Sequence, residues 1–310
     1  MSKVARLYHE QGIRQPEIAD RLGLSQSRVS RLLREAVQVG IVRTVVMPPP
    51  GAQTDLEVAL VDRFGLLDAV VVDAPAEDGP ELLQALGGAG ALLMERTLRK
   101  GDRVGLSSWS SSLLAVVDSM SPGAGVGADL VVQLLGGIGQ PQVQVSANRL
   151  TERLASLTGA EAYVVAAPGV VASRALRDEL LSDSYLHGVV SLWGDLTVAL
   201  VGIGSLQPSP LLKDSGNTAP EKDMAILREH GAVGDVCLRF FDGDGQLVSG
   251  DLDERVLGIP VESYRAIPRR VGVAGGPRKL DAILAAVRGG WVNVLVTDVT
   301  TAASLLGAKA

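Results

Sequence analysis

Cysteine is almost missing. Cys237 is the only one in 310 residues, which excludes an intramolecular disulfide framework and any multi-cysteine zinc site. Its neighbours Asp235-Val236-Cys237-Leu238 look like a buried strand, so an inert core thiol in a reducing cytoplasm is expected. Histidine is nearly as scarce: His9, His187 and His230 stand in unrelated contexts and form no ligand pair, so no metal is expected. No apolar run reaches the ~18 residues that a bilayer crossing needs, because Gly or charge breaks the longest ones. The opening Met-Ser-Lys leads into an amphipathic pattern without a secretory signal. A cytoplasmic protein with no membrane partner follows. The G-x-S-x-G elbow, the P-loop, H-E-x-x-H and the dinucleotide fingerprint are also missing. No catalytic residue and no cofactor is therefore expected.

What is present is a well-buried chain, 46% hydrophobic, long enough for two cores of unequal size. The net charge of −6 conceals an asymmetry. Met1 to Val46 hold eight basic and four acidic residues, while the rest of the chain has 21 basic against 31 acidic. A basic head on an acidic body suggests that only the head meets a polyanion.

The run from Gln15 to Leu33 specifies that head. Pro16 suits the first turn of a helix, where its missing N–H costs nothing. Ile18, Ala19 and Leu22 form an apolar face, and Ala19 is small where a second helix passes close by. Gly23 supplies a tight turn with positive φ. Ser25 caps the next helix, whose Val29, Leu32 and Leu33 point inward at helical spacing. Val4 to Gln11 is expected to complete the small core. This is a helix-turn-helix, and double-stranded DNA is its partner. The expected DNA contacts are Gln15, Ser25, Gln26, Ser27, Arg28, Arg31 and Arg34. Gln and Arg suit base edges in the major groove, while Ser and further Arg reach phosphate oxygens. The second helix should end at Gly40, with Ile41 to Met47 alternating like a short strand or wing. Only three residues precede Val4, so a lone head should bind weakly and act in pairs.

Met47-Pro48-Pro49-Pro50-Gly51 cannot continue a helix or a central strand. The expected domains are therefore a DNA-binding head over 1–47, a Pro-rich linker over 48–54 and an effector-binding, oligomerising body over 55–310. In the body, strand-like runs alternate with amphipathic ones. The expected strands are Ala69–Val72, Arg103–Leu106, Leu130–Leu134, Ala162–Val165, Thr197–Gly202, Val236–Phe241, Arg270–Val273 and Val292–Thr297. The expected helices include Leu82–Leu98, Leu113–Met120, Asn148–Leu157 and Arg278–Val287. That order argues for an α/β body with a doubly wound, largely parallel sheet. Ligands of such sheets sit beyond the carboxyl ends of the strands.

The loop from Gly105 to Leu113 carries Ser107, Ser108, Ser110, Ser111 and Ser112 between a strand and a helix start. Free N–H groups and the helix dipole favour an anion there, although serine also caps helices for structural reasons alone. Gly275-Gly276-Pro277-Arg278-Lys279 places Lys279 at a second such turn, as a phosphate contact or a solvated lysine. Asp242-Gly243-Asp244-Gly245 reads as a hairpin turn rather than a calcium loop, since the further ligands of an EF-hand are missing.

Together the head and the ordered motifs of the body resemble the SorC family of sugar-responsive transcription regulators. The motifs are Gly105–Leu113, Val131–Gly137, Ala167–Val170, Leu200–Gly204, Gly234–Asp242, Gly272–Lys279 and Gly290–Asp298. The resemblance implies an effector domain related in fold to ribose-5-phosphate isomerase and glucosamine-6-phosphate deaminase. It also implies a sugar or sugar-phosphate effector and a homo-oligomer, dimer or tetramer, on operator DNA. By position, Gly105, Ser107 and Ser110 to Ser112 would cradle a phosphate, Gln133, Asn148 and Asp242 would face the sugar, and Lys279 would complete the anion site. The function implied is a regulator of a carbohydrate or polyol catabolic operon, not an enzyme. The alternative is a sugar-phosphate isomerase or deaminase with a DNA-binding appendage, but no acid/base pair stands beside the Ser-rich loop.

Overall fold

A computed structural model of the chain describes residues 1–39, 41–42, 53–74, 78–122 and 127–308, without the side chains of residues 142, 143 and 146. It divides into two compact units, Met1–Pro50 and Gly51–Ala310. The first contains α1 (Ser2–His9), α2 (Gln15–Leu22) and α3 (Gln26–Gln38). Val4, Ile18, Ala19, Val29 and Leu33 are buried together, with Leu7, Leu22 and Leu32 packed around them. Gly23 closes α2 in the left-handed conformation at φ 61°, and the Ser25 side chain accepts from the Arg28 N–H to start α3. The helix ends at Gln38, before the expected stop at Gly40. Ile41 and Val42 are not strand, and the rest of the expected wing, like residues 48–52 of the linker, lies outside the described residues. Thr54, expected as the last linker residue, is the first residue of α4 (Thr54–Phe64).

Among the described residues, the second unit has ten strands. They are β1 (Asp68–Val72), β2 (Arg103–Leu106), β3 (Leu130–Gln133), β4 (Glu161–Tyr163), β5 (Val198–Gly202), β6 (Gly204–Ser205), β7 (Ala232–Val236), β8 (Arg239–Asp242), β9 (Arg269–Val273) and β10 (Val294–Asp298). Seven form one sheet in the order β1-β10-β9-β5-β2-β3-β4, with every pairing parallel. Helices cover both faces. On one, α4 and the helices Leu280–Arg288 and Val299–Gly307 share a core with Val132, Val201 and Leu295. On the other, α5 (Pro80–Thr97), α6 (Ser111–Ser119) and α7 (Pro141–Thr158) pack on Leu106, Val131 and Val296. Val131 and Val132, adjacent in β3, thus enter opposite cores, as the two-residue period of a strand requires. This explains why these strands read as continuous apolar runs rather than alternating ones.

The chain leaves β2 for β3 and β4 on one side, then returns to place β5, β9 and β10 on the other. Strand order therefore reverses between β2 and β5, and the crevice beyond their carboxyl ends is the expected ligand position. A small antiparallel sheet, β6-β7-β8, stands beside it.

Val236–Phe241 is not the single strand expected from its pattern. β7 and β8 are two arms of a hairpin, and Cys237 and Leu238 form its turn at φ 53° and 59°. Both turn residues are buried, so the apolar run crosses the reversal without the Gly, Asn or Asp that normally marks one. β4 is also displaced from Ala162–Val165, because the Val165 N–H is taken by the Gln133 side chain at 3.1 Å rather than by a strand. The helix expected from Arg278 begins at Leu280, after a single 3₁₀ turn over Pro277–Lys279.

Candidate functional site

The head presents one candidate surface. Gln26, Ser27, Arg28, Arg31 and Arg34 of α3 are exposed, while Val29, Leu33 and Ala36 fill the opposite face. Elsewhere in the head, Arg6 and Arg21 are neutralised by Glu10 and Glu17 one turn away, at 3.1 and 2.9 Å. Arg28, Arg31 and Arg34 have no ion-pair partner among the described residues. Three uncompensated guanidinium groups thus share one helix face. Gln15, half-buried, opens α2. The Ser25 hydroxyl is occupied as the cap and lies 3.0 Å from the Ser27 hydroxyl.

The second candidate is a cavity of about 350 Å³ in the body, lined from the ends of β2, β5 and β9 and from the small sheet. The Ser-rich loop forms one wall, and its serines divide by role. The Ser107 hydroxyl accepts from the Gly202 N–H at 3.3 Å, tying β2 to β5. Ser108 donates to the Leu135 carbonyl at 3.0 Å and the Trp109 indole donates to the Gly136 carbonyl at 3.1 Å, anchoring the loop to the segment after β3. Ser110 caps α6 by accepting from the Leu113 N–H. Ser111 and Ser112 then occupy the first turn of α6, where amide N–H groups have no partner within the helix. Gly202 permits this arrangement, since a Cβ there would stand 2.4 Å from Ser110 Oγ.

Facing this wall is the turn after β9. Gly276, at φ 90°, donates its N–H to Asp298 Oδ2 at 2.9 Å and to Thr301 Oγ1 at 3.0 Å, which fixes the turn carrying Arg278 and Lys279. Arg278 Nε donates to Asp78 Oδ2 at 2.5 Å. Lys279 lines the cavity, and its ammonium has no ion-pair or hydrogen-bond partner among the described residues. Burial lowers its pKa, and the nearby Asp235 carboxylate acts in the opposite sense. Asp235 is 8% exposed, and burial pushes its carboxyl up to about 6 although the Leu238 N–H and Lys279 favour the anion. It accepts from the Leu238 N–H at 3.0 Å, bracing the hairpin turn. Burial, then the Asp235 charge, raise the Cys237 pKa, so the thiol stays neutral. An ammonium, a helix start and a buried carboxylate in one crevice can together hold an anion and orient a hydroxyl.

Of the residues expected from the sequence, Ser107, Ser110, Ser111, Ser112 and Lys279 line this cavity. Gly105, Gln133, Asn148 and Asp242 are not among its lining residues. Gly105 sits inside β2, where a Cβ would collide with Leu134 at 2.5 Å. Gln133 is fully buried and bridges Thr151 Oγ1 to the Val165 N–H. Asn148 accepts from the Gln144 side chain at 3.0 Å. Asp242 accepts from the Asp244 and Gln246 N–H groups at 3.0 and 2.9 Å, closing its own turn. Asp78, Asp235 and Arg278 also line the cavity, beyond the residues expected from the sequence. The strand-to-helix position that singled out Lys279 applied equally to Arg278. Asp235 and Asp78 carry no local signal.

The family model described as "Putative sugar-binding domain" matches residues 49–307, and the model for region 4 of sigma-70 matches residues 2–39. The sorbitol operon regulator of Klebsiella pneumoniae is 32% identical over 308 residues, covering 98% of this chain and 96% of that protein. The deoxyribonucleoside regulator of Bacillus subtilis (strain 168) is 32% identical over 304 residues, with the same coverage of both. The crystal structure of the full-length sorbitol operon regulator superposes with a TM-score of 0.73 at 31% identity, over 98% of this chain and 97% of that one. Sharing one sugar-binding unit and near-complete alignment with operon regulators, the chain belongs to the SorC family of sugar-binding transcriptional regulators.

Proposed function

We propose that the chain controls a carbohydrate or polyol catabolic operon and is gated by a phosphorylated sugar bound in the crevice between β2 and β5. The observation that carries this reading is the convergence of the α6 start with Lys279, an ammonium without a partner among the described residues. The phosphate sits on the Ser111 and Ser112 N–H groups and beside Lys279, where helix dipole and ammonium both favour a dianion. Asp235 accepts a sugar hydroxyl, and the Leu82, Leu86 and Leu135 side chains supply apolar contact. In the head, Gln26 and Arg28 read base edges while Arg31 and Arg34 hold phosphates. The chain acts as a homo-oligomer with an even number of subunits, which presents heads in pairs to the two halves of an operator. Binding in the body then shifts operator affinity by a coupling of about 1–3 kcal/mol, or roughly 5- to 150-fold.

The test uses sorbitol 6-phosphate, 2-deoxyribose 5-phosphate and their unphosphorylated parents in a thermal-shift screen of the full chain. At least one phosphorylated sugar should raise the melting temperature where its parent does not. Ser111→Glu, which puts a negative charge where the phosphate belongs, should abolish that rise and leave DNA binding intact. A retained response in Ser111→Glu removes the loop from the effector site.

A further inference from the structure

We infer that the effector carries a single phosphate and no second anionic group. This rests on the sugar-phosphate reading above and narrows it to a class of ligand. The charged side chains lining the cavity, among the described residues, are Asp78, Asp235, Arg278 and Lys279. Two carboxylates and two cations leave no net positive charge to share between two phosphates. Nor are both cations available. Arg278 Nε lies 2.5 Å from Asp78 Oδ2, and the other Asp78 oxygen rests where a Cβ on Gly276 would come within 2.1 Å. The pair is therefore seated on a turn that only glycine accommodates, with the Asp78 side chain mostly buried and Arg278 about half exposed. Lys279 alone remains, without a carboxylate in ion-pair range among the described residues.

One dianion satisfies Lys279 and the N–H groups at the start of α6. A second would have to draw Arg278 away from Asp78 or approach the buried Asp235 carboxylate. Beside a buried carboxylate such as Asp235, like charges repel more strongly than in bulk solvent. The remaining wall is largely apolar, with Leu82, Leu83 and Leu86 of α5 opposite no further cation. It suits the neutral part of a monophosphate.

Titration calorimetry on the full chain with matched pairs tests this: fructose 6-phosphate against fructose 1,6-bisphosphate, and glucose 6-phosphate against glucose 1,6-bisphosphate. Inorganic phosphate and sorbitol 6-phosphate complete the set. The expected result is binding by monophosphates, in competition with inorganic phosphate, and at least about tenfold weaker binding by each bisphosphate. A bisphosphate that binds as tightly as its monophosphate overturns the inference while leaving the sugar-phosphate reading standing. Binding by neutral sugars alone, with no response to any phosphate, overturns both. Asp78→Asn supplies the converse. Releasing Arg278 should narrow the gap by strengthening bisphosphate binding, a gain that a folding defect cannot imitate. An unchanged gap in a folded Asp78→Asn protein also counts against the inference.

Discussion

Asp235 shows how the fold alters a single side chain. In an unfolded chain its carboxyl titrates near the ordinary ~3.9; buried at the end of β7 it titrates at about 6. Between those values the folded state holds the extra proton, so the carboxylate weakens the fold progressively as pH rises through that window, and acidification restores the loss. The cost at neutral pH is on the order of 2–3 kcal/mol. Asp235→Asn retains an oxygen for the Leu238 N–H and should melt higher than the wild type at about pH 7.5, with the difference shrinking toward about pH 5. Melting curves across that range decide it, and a pH-independent difference would contradict the burial argument. Gly202 tests the neighbouring wall. In Gly202→Ala the new methyl meets Ser110 Oγ, so stability should fall by about 1–3 kcal/mol and the thermal response to inorganic phosphate should weaken. Equal phosphate responses in wild type and variant would mean that Ser110 does not position the anion site. At this scale legibility followed locality. Ser111 and Lys279 could be found because strand-to-helix turns announce themselves in sequence. Asp235 could not, since its place depends on the pairing of Gly204 with Asp235 across two strands. Asp78 meets Arg278 across 200 residues of sequence.

Among the elements, α2 and α3 were legible because each end carries its own chemistry: Pro16 at the start, Gly23 at φ 61° between them, Ser25 as a cap. The β7–β8 hairpin was hidden for the opposite reason. Its turn is built from Cys237 and Leu238, residues that pay an unfavourable left-handed conformation while continuing the apolar pattern of the strands. For α3, the exposed face supports a split in roles. Arg28→Ala or Gln26→Ala should relax base preference at one operator position at a cost of roughly 1–3 kcal/mol. Arg34→Ala should weaken all sequences alike and reduce the salt slope by about one. Binding to a set of single-base operator variants at several salt concentrations separates the two. Uniform losses from all three substitutions would show the assignment of base and phosphate contacts to be wrong.

For the whole molecule, the alternation of strands and helices implied a parallel α/β body, and the seven-stranded sheet has that character. Strand order was not legible. Nothing local to β10 indicates that it inserts between β1 and β9, because order is decided by which helices cover which face. Yet that order creates the reversal between β2 and β5, and with it the crevice that gathers Ser111, Asp235 and Lys279. On the proposed reading, a phosphorylated sugar in this crevice governs the hold of the head on DNA. The direct measurement is fluorescence anisotropy of the full chain on a duplex selected from a random pool, at constant salt, titrated with the phosphorylated sugar that gives the largest thermal shift. The expected change in operator affinity is roughly 5- to 150-fold, absent with the unphosphorylated parent and lost in Ser111→Glu. Operator affinity that stays constant while the phosphorylated sugar saturates the body would contradict it.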